Sequence, residues 1–332
     1  MQNRNSIVNN LKLTGLTAAA PTPFGSDGSL NCAAVSSHAE HLLAHGITGV
    51  FICGTTGESH SLTLEERRKL HRCWSDAVRG TPLKLICHVG HNCLADAQTL
   101  AADAQKNGAT AIAALASSYF KPRDLKMLVN WCAAIAEKAP ELPFYFYDIP
   151  SWTRVEQSMP GFLTEAQQRI PTLAGLKFTN SDLAQFLTCV RHGSGKFDIL
   201  YGNDESMLAG LVLGARGAVG STFNFAAPIY HRLMRAFAEG DFETARMEQA
   251  RSVDLVRILA SYGFLAAAKI VMGMIGVDCG QVRVPLQALS KEQVAKLRHE
   301  LEDVGFFEWI RLRPERPALH ATTAPVTATL RA

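Results

Sequence analysis

A short polar segment early in the chain could bind a small carboxylate. Residues 54–58 read Gly-Thr-Thr-Gly-Glu and follow an apolar run that ends at Cys53. A turn bracketed by glycines can direct backbone N–H groups and the hydroxyls of Thr55 and Thr56 at one point, which suits an anion without requiring a cation. A plain connection between a strand and a helix has a similar composition, so this segment alone leaves both interpretations open.

A lysine and a tyrosine lie near the ends of two apolar runs farther along the chain. Lys177 lies within the apolar run at 173–178, and Tyr147 lies just before Pro150, where an extended run must stop. A buried amine that has lost its proton can attack a ketone and form an imine, and a neighbouring phenol can transfer protons. Each residue also has a structural interpretation, since the lysine could reach solvent or pair with an acid and the tyrosine could pack in a core.

Eight short, β-rich apolar runs recur at fairly even spacing and would position these side chains. They span residues 15–20, 48–53, 84–89, 110–116, 143–148, 173–178, 197–201 and 217–221. Amphipathic stretches lie between most of them, and the stretch at 64–78 has Thr63 as N-cap, with Glu66 completing a capping box. This alternation predicts an α/β fold, a (β/α)8 TIM barrel, with its chemistry at the carboxyl ends of the strands. A doubly wound parallel sheet is the structural alternative.

The sequence after the eighth run is helical in pattern and shows no further strand. The helical stretches lie at 228–239, 242–259, 265–275 and 291–304. We therefore predict an N-terminal arm at 1–13, the barrel at 14–227, C-terminal helices that complete and extend it at 228–312, and a loose tail at 313–332.

The charge balance argues against polyanionic partners. Among 332 residues, 33 lysines and arginines face 30 aspartates and glutamates, so a net charge of +3 predicts no binding to nucleic acid or to an anionic membrane. The longest apolar stretch, 264–277, is interrupted by Lys269 and is too short for a membrane span. The first fifteen residues lack the continuous apolar stretch of a secretory signal, and we expect a cytoplasmic protein.

The cysteines and histidines give no sign of a metal site. The eight cysteines form no C-x-x-C pair and are predicted to be reduced and mostly buried. His88 and His91 have a spacing that occurs among metal ligands, but no acid clusters with them, so we expect a structural role. No metal is therefore predicted.

Four motifs, in their order and spacing, resemble the pyruvate-dependent class I aldolases of the dihydrodipicolinate synthase and N-acetylneuraminate lyase family. They are residues 54–58, residues 147–150, residues 175–177 and the glycine-rich stretch 214–220, and the resemblance covers roughly residues 14–305. It implies that Lys177 forms a Schiff base with pyruvate and that Tyr147 relays protons. It also implies that Thr55 and Thr56 hold the pyruvate carboxylate, that one of their hydroxyls assists proton transfer, and that no cofactor is needed.

Segments near the ends of the last three strands are similar to the sialic acid lyases within this family. The similarity implies that the sugar portion of a substrate contacts Thr179, Gly202, Asp204, Glu205 and Ser221. Asp204 and Glu205 could instead cap a helix that begins near Ser206. Trp152 stands where the dihydrodipicolinate synthases carry a carboxylate-binding arginine, and a tryptophan cannot replace that bidentate donor.

The resemblance therefore implies reversible cleavage of N-acetylneuraminate to N-acetylmannosamine and pyruvate. The alternatives are another pyruvate-dependent aldolase acting on a 2-keto-3-deoxy sugar acid, a dihydrodipicolinate synthase variant, and a non-catalytic homologue that binds pyruvate or sialic acid. The expected partners are the small-molecule substrate and further copies of the chain. The family resemblance implies a homotetramer in which Tyr119 reaches the site of a neighbouring subunit.

Overall fold

The computed structural model describes residues 11–311 and confirms the predicted (β/α)8 TIM barrel. Its parallel strands close in sequence order: β1 (Gly15–Ala19), β2 (Gly49–Ile52), β3 (Lys84–His88), β4 (Ala111–Leu115), β5 (Phe144–Asp148), β6 (Leu173–Phe178), β7 (Asp198–Tyr201) and β8 (Gly217–Gly220). β8 pairs with β1 and closes the sheet, so the doubly wound alternative is wrong. Residues 1–10 of the predicted arm and the predicted tail at 313–332 lie outside the described residues.

Helices cover the outside of the barrel. They lie at Ala33–Ala44, Leu64–Val78, Leu94–Lys106, Leu125–Ala136, Met159–Arg169, Leu183–Arg191, Met207–Val212 and Phe223–Glu239. Shorter segments lie at Pro150–Thr153 and Phe306–Trp309, with 3-10 turns at Ser59–Ser61, His192–Gly195 and Asp204–Ser206. The predicted capping box is confirmed, because the Glu66 N–H donates to Thr63 Oγ1 at 3.2 Å and the Thr63 N–H donates to the Glu66 carboxylate at 2.9 Å.

The C-terminal helices are Phe242–Ser261, Phe264–Met274 and Lys291–Asp303, close to their predicted positions. Within the described part of the chain no individual helix has the length and apolar character of a membrane span. The helices Phe242–Ser261 and Phe264–Met274 are long and apolar enough only when they are counted together, and a bend of 112° separates them.

The helix predicted to begin at Pro228 begins earlier, at Phe223, and that part of the prediction is wrong. Proline lacks an N–H, so the Asn224 carbonyl four residues before it has no helical donor; His41 Nε2 lies 2.9 Å from this oxygen instead. Ala226 has a φ of −128°, which marks the resulting kink. The helix thus runs through the proposed boundary between residues 227 and 228, and the division of the chain there stays a prediction.

One pair of cysteines contradicts the prediction that all eight are reduced. Cys32 and Cys73 form a disulfide, with their Cα atoms 6.0 Å apart. Cys32 precedes the helix Ala33–Ala44 and Cys73 lies in Leu64–Val78, and these two helices are neighbours around the barrel. The other six cysteines are free, and only Cys93 among them is exposed.

The interior of the barrel is packed separately from the layer between strands and helices. Its side chains include Phe51, Ile86, Leu115, Tyr147 and Leu200. At the amino ends of the strands, the Asp198 carboxylate accepts hydrogen bonds from the Leu13 N–H at 2.8 Å and from the Tyr145 hydroxyl at 2.9 Å. These paired polar groups close one end of the barrel and leave the opposite end for chemistry.

Candidate active site

Lys177 and Tyr147 meet at the carboxyl ends of neighbouring strands. They are register partners on β6 and β5, and the Lys177 Nζ lies 4.0 Å from the centroid of the Tyr147 ring. The same nitrogen lies 4.4 Å from the Phe51 ring, and Lys177 is only 5% exposed. Within residues 11–311 no carboxylate forms an ion pair with this amine. The two structural interpretations of Lys177, reaching solvent and pairing with an acid, are therefore wrong for the described chain.

The turn after β2 brings Thr55 to the phenol. Thr55 Oγ1 lies 3.3 Å from Tyr147 Oη, at a distance where either hydroxyl could donate. Within the turn, the Glu58 N–H donates to the Thr55 carbonyl at 3.0 Å. A side chain at Gly57 would place its Cβ 3.0 Å from the Cys53 nitrogen, so the tight path of the turn needs glycine at that position.

Thr56 joins the turn after β2 to the loop after β8. Its Oγ1 lies 2.6 Å from Ser221 Oγ, and Thr56 is 7% exposed. Asn224 holds this loop, because its amide donates to the Ser221 carbonyl at 2.7 Å and to the Ala19 carbonyl at 2.8 Å. Ser221, which the resemblance assigns to the sugar, is thus hydrogen-bonded to a threonine assigned to the carboxylate.

Thr179 presents a hydroxyl with unused hydrogen-bonding capacity. Its Oγ1 is buried and has no hydrogen-bond partner within the described chain. Gly202 lies against it, and a Cβ at residue 202 would come 2.0 Å from that oxygen. The absence of a side chain at Gly202 therefore gives the Thr179 hydroxyl the space it occupies beside the strand ends. A buried hydroxyl without a partner costs free energy, which a bound ligand can recover.

Asp204 and Glu205 are adjacent in sequence but differ in environment. The Asp204 carboxylate accepts hydrogen bonds from the Thr222 N–H at 2.7 Å and from its hydroxyl at 2.6 Å. Burial raises the pKa of Asp204 to about 6, although the bonds from Thr222 oppose this shift. Glu205 is exposed and lines a cleft. Neither side chain caps the helix Met207–Val212, so the capping interpretation is wrong.

The cleft beside these residues lies among the loops that follow β5, β6 and β7. Its volume is about 860 Å³, and polar and apolar surface contribute about equally to its lining. The lining includes Arg154, Thr179, Asn180, Glu205 and Ser206. Glu205 and Thr179 thus face one shared space, whereas Asp204 is turned toward the loop after β8.

Tyr119 does not join this group. It lies in the loop after β4, is 77% exposed, and packs edge to face on Phe120 with the ring centroids 5.0 Å apart. Its backbone N–H donates to Asn92 Oδ1 at 3.2 Å. The role of Tyr119 at a subunit interface stays a prediction.

Sequence reasoning missed Phe51, whereas the structural role expected for His88 is confirmed. Phe51 underlies the lysine amine, and the alternation of inward side chains along β2 was a signal that could have found it. His88 packs on the Tyr147 ring with centroids 6.0 Å apart, and its Nδ1 lies 2.8 Å from the Cys53 carbonyl. Its Nε2 lies 3.3 Å from the Leu115 nitrogen, so both ring nitrogens contact the barrel framework. Burial lowers the pKa of His88 well below its ordinary value.

Comparison with known proteins places this arrangement in a family. The dihydrodipicolinate synthetase family matches residues 12–304. The chain belongs to this family. The N-acetylneuraminate lyase of Gallus gallus is 36% identical over 297 residues, covering 88% of this chain and 96% of that protein. The N-acetylneuraminate lyase of Mus musculus is 34% identical over 314 residues, covering 93% and 98% of the two chains.

Solved structures of similar proteins have the same architecture. The Proteus mirabilis N-acetylneuraminate lyase superposes with a TM-score of 0.87 at 38% identity, covering 89% of this chain and 100% of that one. The Bacillus anthracis dihydrodipicolinate synthase superposes with a TM-score of 0.82 at 25% identity, covering 88% and 98%. These findings confirm the family resemblance. The Proteus mirabilis lyase is more similar in sequence to this chain than the Bacillus anthracis synthase is.

The resemblance implies that the synthases carry a carboxylate-binding arginine at the position of Trp152. Trp152 lies in the short helix Pro150–Thr153 after β5 and is 67% exposed. An indole offers one donor and no positive charge, so it cannot form the bidentate carboxylate contact that an arginine provides.

Proposed function

We propose that this chain is a Schiff-base aldolase that reversibly cleaves N-acetylneuraminate into N-acetylmannosamine and pyruvate. The observation that carries the proposal is the position of the Lys177 amine, which is buried 4.0 Å from the Tyr147 ring, with no carboxylate paired to it in the described chain. The family and its N-acetylneuraminate lyase relatives support the same reaction.

In the first step the Lys177 amine adds to the C2 ketone of the sugar acid. The nitrogen forms a bond to carbon and gives up one proton. The ketone oxygen takes up that proton and a second one from solvent and leaves as water, which gives a protonated imine. Tyr147 and Thr55, whose hydroxyl oxygens are 3.3 Å apart, form the pair that moves these protons. The hydroxyl of Thr56 and the turn N–H groups hold the C1 carboxylate.

In the second step the bond between C3 and C4 breaks. The C4 hydroxyl loses its proton and becomes the aldehyde of N-acetylmannosamine, and the electron pair of the broken bond moves toward the positive imine nitrogen. The resulting enamine takes up a proton at C3, and water then releases pyruvate and restores the amine. Electrons and protons balance without a further reactant.

The sugar portion would lie in the cleft beside the strand ends. Thr179 offers an unused hydroxyl there, and Glu205 offers a carboxylate that can accept hydrogen bonds from sugar hydroxyls. Asp204 would act indirectly, because its carboxylate accepts the hydrogen bond of Thr222 and so holds the loop after β8 in place. Ser221 and Gly202 shape the wall of the site through Thr56 and Thr179.

Reduction by borohydride in the presence of pyruvate tests the proposal. A reduced adduct on Lys177, located by mass spectrometry, is the expected result, and Lys177→Ala should abolish it. Lys84→Ala is a matched control, because Lys84 lies at the opposite end of the barrel and donates to the Lys12 carbonyl. Wild-type protein that binds pyruvate but gains no mass would be a non-catalytic binder, and trapping that persists in Lys177→Ala would refute the assignment.

Turnover on a panel of substrates tests the choice of sugar acid. The panel is N-acetylneuraminate, its N-glycolyl form and 2-keto-3-deoxygluconate. We expect the highest kcat/KM for N-acetylneuraminate. A higher value for 2-keto-3-deoxygluconate would assign the chain to sugar-acid aldolases of another kind.

We also propose a cytoplasmic homotetramer in which Tyr119 enters the site of a neighbouring subunit. Its 77% exposure within one chain leaves the ring accessible to a partner. Sedimentation of the wild type and of Tyr119→Ala, combined with turnover, tests this: a monomer with full activity would contradict it.

A further inference from the structure

A buried ion pair lies directly behind the turn that holds Thr55 and Thr56. Lys269 Nζ, from the helix Phe264–Met274, is 2.6 Å from Glu58 Oε1, and the two side chains are 1% and 0% exposed. Glu58 and Lys269 therefore form an ion pair that is closed to solvent. Burying two charges is costly, and the pair must therefore be held in place by its surroundings.

The surroundings of this pair come from the C-terminal part of the chain. The second Glu58 carboxylate oxygen accepts a hydrogen bond from the backbone N–H of Arg283 at 2.9 Å. Lys269 Nζ also donates to the Gln281 carbonyl at 3.0 Å and lies 4.1 Å from the Phe24 ring centroid. One carboxylate thus joins the turn after β2 to a helix and a loop that lie more than two hundred residues later.

Arg283 fixes that loop from the other side. Its guanidinium donates to Glu66 at 2.5 and 2.8 Å and to the Gly28 carbonyl at 2.7 Å. It also lies 4.2 Å from the Phe24 ring centroid. The loop that contacts Glu58 is therefore itself anchored to the helix Leu64–Val78.

The backbone of the turn explains why such an anchor is needed. Cys53 and Glu58, at its two ends, have φ values of 55° and 52°, in the left-handed region that residues with a Cβ avoid. A conformation of this kind persists only where contacts determine it. The Glu58 N–H bond to the Thr55 carbonyl lies inside the turn. The Thr22 hydroxyl donates to the Gly57 carbonyl at 2.7 Å, and the Glu58 side chain adds the tie to the C-terminal helix and loop.

We propose that the Glu58–Lys269 ion pair is a positioning device for pyruvate: it sets the turn so that Thr55, Thr56 and the turn N–H groups meet the carboxylate. This inference rests on the proposed function. Glu58 and Lys269 touch no reacting atom, and they act through the turn. Their loss should therefore weaken capture of pyruvate while leaving the chemistry of the intact Lys177 amine in place.

The experiment measures how borohydride trapping depends on pyruvate concentration in Glu58→Gln, in Lys269→Met and in the double variant. We expect the half-saturating pyruvate concentration to rise about tenfold in each, with full labelling of Lys177 at saturation and kcat within about threefold of wild type. The double variant leaves neither charge buried alone, so its Tm should exceed that of either single variant, while its pyruvate requirement stays high.

Asp103→Asn is the matched control, because Asp103 is another buried carboxylate, 7% exposed and paired with Arg68 and His71 on the outside of the barrel. It should lower the Tm and leave the pyruvate requirement unchanged.

In the double variant, both the half-saturating pyruvate concentration and the Tm could return to their wild-type values. That result would show that the pair is merely structural and would overturn the inference. So would an unchanged requirement in the folded single variants. In both cases wild-type trapping on Lys177 would leave the proposed function intact. Absence of trapping in the wild type itself would instead overturn the proposed function, and this inference with it.

Discussion

Two tyrosines on one strand show how the two ends of the barrel interior differ. Tyr145 and Tyr147 lie two residues apart on β5, so both point inward. The Tyr145 hydroxyl donates to Asp198 at 2.9 Å, and burial raises its pKa well above the ordinary value. Among the residues that the structure describes, the Tyr147 hydroxyl has one side-chain hydrogen-bond contact, the longer one of 3.3 Å with Thr55.

The difference extends to the groups around each tyrosine. At the amino end, Asp198 has two donors from the chain itself, and this polar cluster is complete. At the carboxyl end, the Thr179 hydroxyl has no partner within residues 11–311, and the Lys177 amine rests on aromatic faces. A buried hydroxyl without a partner lowers stability, so the Thr179 hydroxyl marks the carboxyl end as the place where a ligand can supply the missing contact.

The largest expected effect is that of Lys177→Ala at the carboxyl end. Removal of the amine prevents imine formation, and kcat/KM for N-acetylneuraminate should fall by at least about 10⁴-fold. The fold should persist, because the amine forms no ion pair within the described chain. Steady-state turnover and thermal melting check both statements. Activity within tenfold of wild type would remove Lys177 from the mechanism and end the contrast between the two ends.

Tyr147→Phe should have the next largest effect. The ring that contacts Lys177 and His88 remains, and only the hydroxyl beside Thr55 is lost. Proton transfer by a positioned group contributes roughly 10² to 10⁴-fold, so kcat should fall by about that range while stability changes by about 1 kcal/mol or less. Turnover and chemical denaturation measure the two quantities. A kcat equal to that of the wild type would mean that the phenol takes no part in proton transfer.

The meeting of Lys177 and Tyr147 could be predicted from the sequence, because strand order and inward alternation place both at one end of a barrel. The capping box of Thr63 and Glu66 could also be predicted, because it depends on two residues only three positions apart. Local patterns therefore determined the elements and the central pair of the site.

Contacts between distant segments could not be predicted in this way. The Cys32–Cys73 disulfide and the Glu58–Lys269 pair join residues whose neighbourhood depends on how helices pack around the closed sheet. Asp204 has the sequence context of a sugar ligand, yet its carboxylate is taken by Thr222 on the next loop. The residue type determines which hydrogen bonds a side chain can form, whereas the packed fold determines which partner it has.

A third prediction compares buried carboxylates at the two ends. Asp148, at the carboxyl end, accepts a side-chain hydrogen bond from Asn180 at 3.1 Å, and burial raises its pKa to about 7. Between the unfolded value near 3.8 and about 7 the folded protein binds the extra proton, so stability falls as pH rises through this window. Asp148→Asn removes that loss and should stabilise the protein by up to about 4 kcal/mol above pH 7.

Urea denaturation of wild type and Asp148→Asn from pH 4 to pH 8 checks this prediction. The difference in unfolding free energy should be small at pH 4 and should grow up to about pH 7. Asp198→Asn is the comparison variant, because at Asp198 two hydrogen-bond donors oppose the upward pKa shift that burial causes. A constant difference across the pH range would contradict a raised pKa for Asp148.

The smallest effect is expected for Tyr145→Phe at the amino end. The variant deletes one donor to Asp198, which keeps the Leu13 N–H, so unfolding free energy should fall by about 1 to 2 kcal/mol. Its kcat and KM should equal those of the wild type, because the paired groups at that end take no part in the reaction. Tyr145 and Tyr147 lie on one strand, so equal losses of activity in the two phenylalanine variants would mean that the hydroxyls act through the strand as a whole. A loss of stability without loss of activity assigns the amino end to folding and the carboxyl end to chemistry.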